Sequence, residues 1–263
     1  MIGLLFNKKV QISLLVLFTL LLVGVALIKN RHVTNIWNVS TLGEIPAPPG
    51  YERVEAPEHS YAAFLRKLPL KPRGSQVYLY TGVVARNQSL AAAVIDWPVL
   101  SNSEQCADMT MRIRAEYLWQ SGQYEKIVFT DTQNNKRFYW GGGCKIALYA
   151  YLKKMYECCN TASVYNETTA RPVLEVQPGD VLVYPARPGK RLGHAVLVAD
   201  VAKAPSGQVA ILCVEGCTPA REAHLVNPRD STRSPWFFLD GSEDVVHISA
   251  FRFYLDRDEL RYY

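Results

Sequence analysis

Apolar and polar positions change period several times along the chain, and each change marks an element. Residues 10–28 carry no charge, with Lys8 and Lys9 before them and Lys29 and Arg31 after. As a helix rising about 1.5 Å per residue, this stretch reaches roughly 28 Å, close to the hydrocarbon thickness of a bilayer. It predicts a membrane anchor. A cleaved secretory signal is the alternative, but the apolar core is longer than usual for one. No small-x-small site follows it, and no cysteine near its end offers a lipid attachment point. Both readings carry the rest of the chain across the membrane. Positive charges on both flanks leave orientation open, and the short 1–9 tail favours N-in, C-out. The expected location is the inner (cytoplasmic) membrane, single-pass, with the soluble domain outside the cytoplasm in the periplasm.

Residues 29–50 are polar and end in Pro46-Ala47-Pro48-Pro49-Gly50, which predicts a stiff linker with the folded domain occupying 51–263. Within 60–68, Tyr61, Phe64, Leu65 and Leu68 fall at helical spacing. Residues 77–80 and 91–95 are short strand candidates. A longer helix is expected from Ser101 or Ser103, with Glu104 completing a capping box from Ser101. Its inward stripe would be Cys106, Met109, Ile113 and Tyr117. Residues 146–156 predict another helix. Residues 180–184, 195–201 and 209–214 then read as consecutive strands separated by Pro- and Gly-containing turns. Helices first and an antiparallel meander afterwards give an α+β domain.

Composition narrows the function classes. Of 263 residues, 49% are hydrophobic and 20% charged, and the net charge is only +5. No basic run interleaved with aromatics supports nucleic-acid binding. About 210 residues beyond the apolar segment suffice for one well-buried domain. All six cysteines lie in that portion, so in an exported domain some could pair. Their spacing is poor for structural zinc.

Cys106 would sit near a helix start, where unpaired backbone N–H groups favour a thiolate. The plainer reading is a buried apolar cysteine, because its stripe faces the core. His194 opens a strand in GDVLVYPARPGKRLGHAVLVAD, where an imidazole is placed to take a proton. The next strand, QVAILCVEG, ends at Glu215, and antiparallel pairing would set that carboxylate beside His194 to orient it.

Gln105-Cys106 opening a helix, Gly179-Asp180 opening a strand, Gly193-His194 opening the next and Glu215 closing a third resemble the CHAP amidase/peptidase family. Those are papain-like cysteine hydrolases that cut amide bonds in peptidoglycan. The resemblance implies a papain-like fold with N-terminal helices packed on an antiparallel sheet. It makes Cys106 the nucleophile, His194 the general base and Glu215 the residue orienting it. Gln105 would help to stabilise the oxyanion together with the Cys106 N–H. It implies cell-wall peptidoglycan or an envelope peptide as partner and requires no cofactor. The 139–177 insertion departs from the family pattern. A second set of motifs covers more of the chain: SYAAFLRKLPLKP, AAAVIDW, QCADMTMRIRAEYLW, GDVLVYPARPGKRLGHAVLVAD, HLVNP and SPWF. These resemble an uncharacterised domain-of-unknown-function family of exported bacterial proteins, whose pattern has an amide where this chain has Glu215.

Two other function classes stay open. One is a non-catalytic envelope-binding or assembly domain of papain-like shape. The other is a metal site built from His194, Glu215, Glu222 and His224, since alternate residues of a strand share a face. Among further candidates, Arg112, Arg114 and Glu116 are expected on the polar face of the helix, and His224 either lines the same cleft or is structural. Trp236 is expected as a packing residue, and Gly141-Gly142-Gly143 as a flexible rim or tight turn.

Overall fold

The computed structural model describes residues 37–187, 189, 192–228, 234–239 and 245–263. The apolar stretch 10–28 lies outside them. Among the described residues no helix is long and apolar enough to cross a membrane.

Four α-helices occur among the described residues: α1 (Tyr61–Arg66), α2 (Cys106–Gln120), α3 (Lys145–Met155) and α4 (Thr161–Glu167). The first strands are β1 (Glu52–Arg53), β2 (Ala91–Val94), β3 (Val128–Asp131), β4 (Lys136–Tyr139) and β5 (Thr169–Ala170). The meander follows as β6 (Val181–Tyr184), β7 (His194–Lys203) and β8 (Val209–Glu215). The last are β9 (His224–Val226), β10 (Trp236–Leu239), β11 (Val245–Ile248), β12 (Phe251–Tyr254) and β13 (Leu260–Tyr262). The chain is therefore α+β, with a nine-stranded antiparallel sheet ordered β2-β9-β8-β7-β6-β13-β5, where β1 also pairs with β7 and β10 with β8. β3–β4 and β11–β12 form separate two-stranded hairpins.

β7 and β8 are almost wholly buried because both faces of the sheet are covered. Ala195, Leu197, Leu212 and Val214 pack in one core with Met109 and Ile113 of α2. Val196, Val198, Ile211 and Cys213 pack in a second with Phe253 and Ile248 of the β11–β12 hairpin. Covering both faces explains the unbroken apolar runs AVLVA and VAILCV. A register shift between Val198 and Asp200 interrupts the ladder. There the fully buried Asp200 carboxylate accepts three hydrogen bonds from the Arg66 guanidinium at the end of α1, with Arg53 of β1 at 2.9 Å. This tie fixes α1 against the sheet.

Several expectations are corrected by packing. α2 starts at Cys106, with Gln105 as N-cap and the Asp108 side chain accepting from the Gln105 N–H at 2.9 Å. The Ser101 capping box does not form because Glu104 turns inward, accepting from the Leu100 N–H and from Arg112. Arg112 and Glu116 are not a solvated face. Both are buried, Arg112 paired with Glu104 at 2.8 Å and Glu116 with Lys145 at 3.2 Å. Residues 77–80 make only isolated bridges, Tyr78 with Val84 and Leu79 with Arg221. The described part of 29–50 is not a spacer. Leu42 and Ile45 are fully buried, and Trp236, itself buried, donates from Nε1 to the Pro46 carbonyl. The 139–177 insertion supplies α3, α4 and β5, and α4 packs against β6 and α2.

Candidate functional site

Cys106 is the first residue of α2 and lies at one end of β7. Its side chain is 6% exposed. The lowered thiol expected from a helix N-terminus is not what the surroundings produce. Burial pushes the thiol up to about 12, outweighing the lowering influence of the nearby Ala195 N–H. The N-terminal N–H groups do not offset so complete a loss of hydration. The resting group is the neutral thiol.

His194 is the first residue of β7 and 1% exposed. Its ring lies flat on Phe251, with centroids 3.6 Å apart and planes within 16°. The preceding glycine permits this placement. A Cβ on Gly193 would fall 2.1 Å from the Thr161 hydroxyl oxygen and 2.7 Å from the Ala186 nitrogen, so no larger residue fits between α4 and the strand mouth.

Glu215 ends β8 and is 3% exposed. Its Oε2 lies 3.2 Å from His194 Nε2. Its Oε1 accepts from the Ser249 hydroxyl and lies 3.4 Å from His224 Nε2. Burial alone would raise this carboxyl, but hydrogen bonds and charge from His194 and His224 outweigh it and hold the group well below the usual carboxylate range. Glu215 is an anion in the fold.

Gln105 reaches the same place from the N-cap. Its Oε1 accepts from the Thr218 hydroxyl at 2.7 Å, on the segment following β8. Gln105, Cys106, Asp108, His194, Thr218 and Phe251 all line one cavity of about 520 Å³. Cys106 and His194 thus share a cavity. No hydrogen bond joins them among the described residues, where the His194 ring bonds Glu215 instead. Asp108, beside the thiol, is itself pushed up to about 8 by burial.

The four candidate residues Gln105, Cys106, His194 and Glu215 are therefore brought together. His224 belongs with them through Glu215. The metal site with Glu222 does not assemble: that carboxylate pairs with Lys71 at 2.5 Å and accepts from the Tyr78 N–H. Among the described residues no group of three or more His, Cys, Asp or Glu is arranged to hold a metal ion. All six cysteines are free thiols. Ser249 and Phe251, which cover Glu215 and His194 from the β11–β12 hairpin, carry no signal that sequence reasoning could use. They are a serine at a turn and an aromatic in a short strand.

No curated protein and no solved structure matches the chain. One family does, over residues 42–149 and 142–261, which together take in all four helices, every residue of the site and the sheet up to Arg261. The chain belongs to the family described as Domain of unknown function (4846).

Proposed function

We propose that this protein is a cysteine hydrolase of cell-envelope amide bonds, with the peptides of peptidoglycan as substrates, and that its domain is a variant of the papain-like, CHAP-like layout. The observation that carries this reading is a single cavity onto which Cys106 and His194 both open, with the Glu215 carboxylate behind the imidazole at 3.2 Å. Supporting it are a cysteine as first residue of a helix, a histidine opening one strand and a carboxylate closing its neighbour.

In this mechanism Glu215 accepts the His194 Nε2–H, which leaves Nδ1 as the free lone pair. Because the resting thiol is neutral, His194 acts as general base rather than as half of a preformed ion pair. Nδ1 takes the Sγ proton as sulfur attacks the amide carbon. The Cys106 N–H and the Gln105 side-chain amide, whose oxygen is already occupied by Thr218, stabilise the oxyanion. His194 returns the proton to the departing nitrogen as the C–N bond breaks. His194 Nδ1 then deprotonates a water that attacks the thioester carbon, and returns that proton to Sγ as the C–S bond breaks. The uncharged 10–28 segment supports anchoring in the cytoplasmic membrane with the domain facing the envelope.

A second reading is a non-catalytic envelope-binding domain. It is favoured by the buried thiol, raised to about 12 by its loss of hydration. Incubating the full-length protein with purified peptidoglycan and assaying newly freed amines separates the two. Amine release lost on Cys106→Ala supports hydrolysis; retention of the polymer without release supports binding.

A further inference from the structure

We propose that His224 is a positioning residue, an imidazolium with a proton on each ring nitrogen, that holds the Glu215 carboxylate turned toward His194. The role assigned to Glu215 rests on the hydrolase reading; the protonation of His224 does not.

Both ring nitrogens of His224 face acceptor oxygens. His224 Nδ1 lies 3.1 Å from the Glu222 carbonyl oxygen, which can only accept. Its Nε2 lies 3.4 Å from Glu215 Oε1, a carboxylate oxygen that is also an acceptor. A neutral imidazole carries one N–H and one bare lone pair, so it would set a lone pair against one of these oxygens. With the ring 3% exposed, setting a lone pair against an oxygen there is costly. Two protons satisfy both contacts. The same reasoning assigns His194 differently: only its Nε2 meets an acceptor among the described residues, so one proton suffices.

The strand pairing makes the arrangement rigid. His224 and Glu215 are direct partners in the β8–β9 register, so the imidazole is delivered by the sheet itself. Glu215 then receives Ser249 and His224 on Oε1 and His194 on Oε2. With Oε1 occupied, the carboxylate cannot rotate into the smaller cavity of about 130 Å³ that Glu215, His224 and Ser249 line. Oε2 therefore stays on His194 and fixes its tautomer.

The test is nitrogen NMR of the full-length protein labelled with 15N-histidine, at neutral pH, in wild type, His224→Ala and His224→Gln. The expected wild-type spectrum shows His224 protonated on both nitrogens and His194 on Nε2 alone. In His224→Ala, the His194 signals should change to a mixture of tautomers. His224→Gln keeps an N–H donor for Glu215 and should restore the single Nε2–H form. A bare nitrogen on His224, or a His194 pattern indifferent to His224→Ala, would overturn the proposal. Should His224→Ala not fold, the wild-type and Gln spectra still decide it. None of these readouts depends on turnover, so absence of hydrolysis would count against the function and leave this inference standing.

Discussion

Glu215 Oε2 and His194 Nε2 lie 3.2 Å apart with both side chains almost entirely out of water, at the end of one strand and the start of its neighbour. A buried carboxylate is tolerated only with donors around it, and here it serves two imidazoles and a hydroxyl at once. Removing it strands all three. Glu215→Ala is expected to cost about 3–5 kcal/mol in denaturant unfolding, and Glu215→Gln less, because an amide keeps the shape and one acceptor.

The same pair sets an acid limit. The folded-state pKa of Glu215 is depressed, so its stabilising contribution is complete above the ordinary carboxylate range and is lost as pH falls through the lower folded value. The stability gap between wild type and Glu215→Gln should therefore be widest near neutrality and narrow below about pH 4. Thermal unfolding of both proteins across pH reads this directly.

Asp108 carries the opposite sign. Burial raises it to about 8, so the folded chain holds this proton to higher pH than the unfolded chain does. Its contribution is greatest below the unfolded value near 4 and declines as pH climbs toward about 8. Asp108→Asn retains an acceptor for the Gln105 N–H. It should therefore be more stable than wild type at pH 9 and lose that advantage at pH 4.

Arg112 and Glu104 form a buried pair at 2.8 Å, with the guanidinium also over the rings of Trp97 and Tyr149. Arg112→Met alone leaves Glu104 uncompensated and should cost about 3–5 kcal/mol. The double variant with Glu104→Met should recover a substantial part of that loss in the same unfolding assay, since both desolvation costs disappear.

Gly193→Ala forces a methyl group into the Thr161 hydroxyl and the Ala186 backbone. Expected are a loss of about 1–3 kcal/mol, of the order found for overpacked sites, and displacement of the His194 ring from Phe251. Melting temperature and a crystal structure of the variant check the two parts separately.

How far the sequence reached follows from what each element depends on. β6, β7 and β8 were legible because apolar runs bounded by Pro and Gly state strands locally, and the pairing of Glu215 with His194 follows from a meander. The start of α2 was misplaced because Ser101 and Glu104 satisfy a local capping rule that the buried Arg112 overrides. Residues 42–47 read as linker because Leu42 and Ile45 are isolated apolar positions whose partners lie elsewhere in the chain. The contacts of Ser249 and Phe251 with the site arise from a hairpin folding over the sheet, a relationship between distant segments that no local pattern encodes. The thiol shows the same limit. Proximity to a helix N-terminus was visible, whereas the burial that outweighs it was not. The helix-terminus effect operates instead at exposed Cys144, the N-cap of α3, whose thiol the Ala147 and Ile146 N–H groups lower.

That contrast provides the most direct test of the claim that His194 activates Cys106. Full-length protein is treated with iodoacetamide at pH 7, and labelling of each cysteine is followed by peptide mass spectrometry in wild type and His194→Ala. Cys106 should be labelled in wild type and slowed by about a hundredfold in His194→Ala, the lower end of a general-base contribution, with Cys144 labelling unchanged as the internal reference. Cys106 that stays unlabelled in the folded wild type, or labels equally fast without His194, would contradict it.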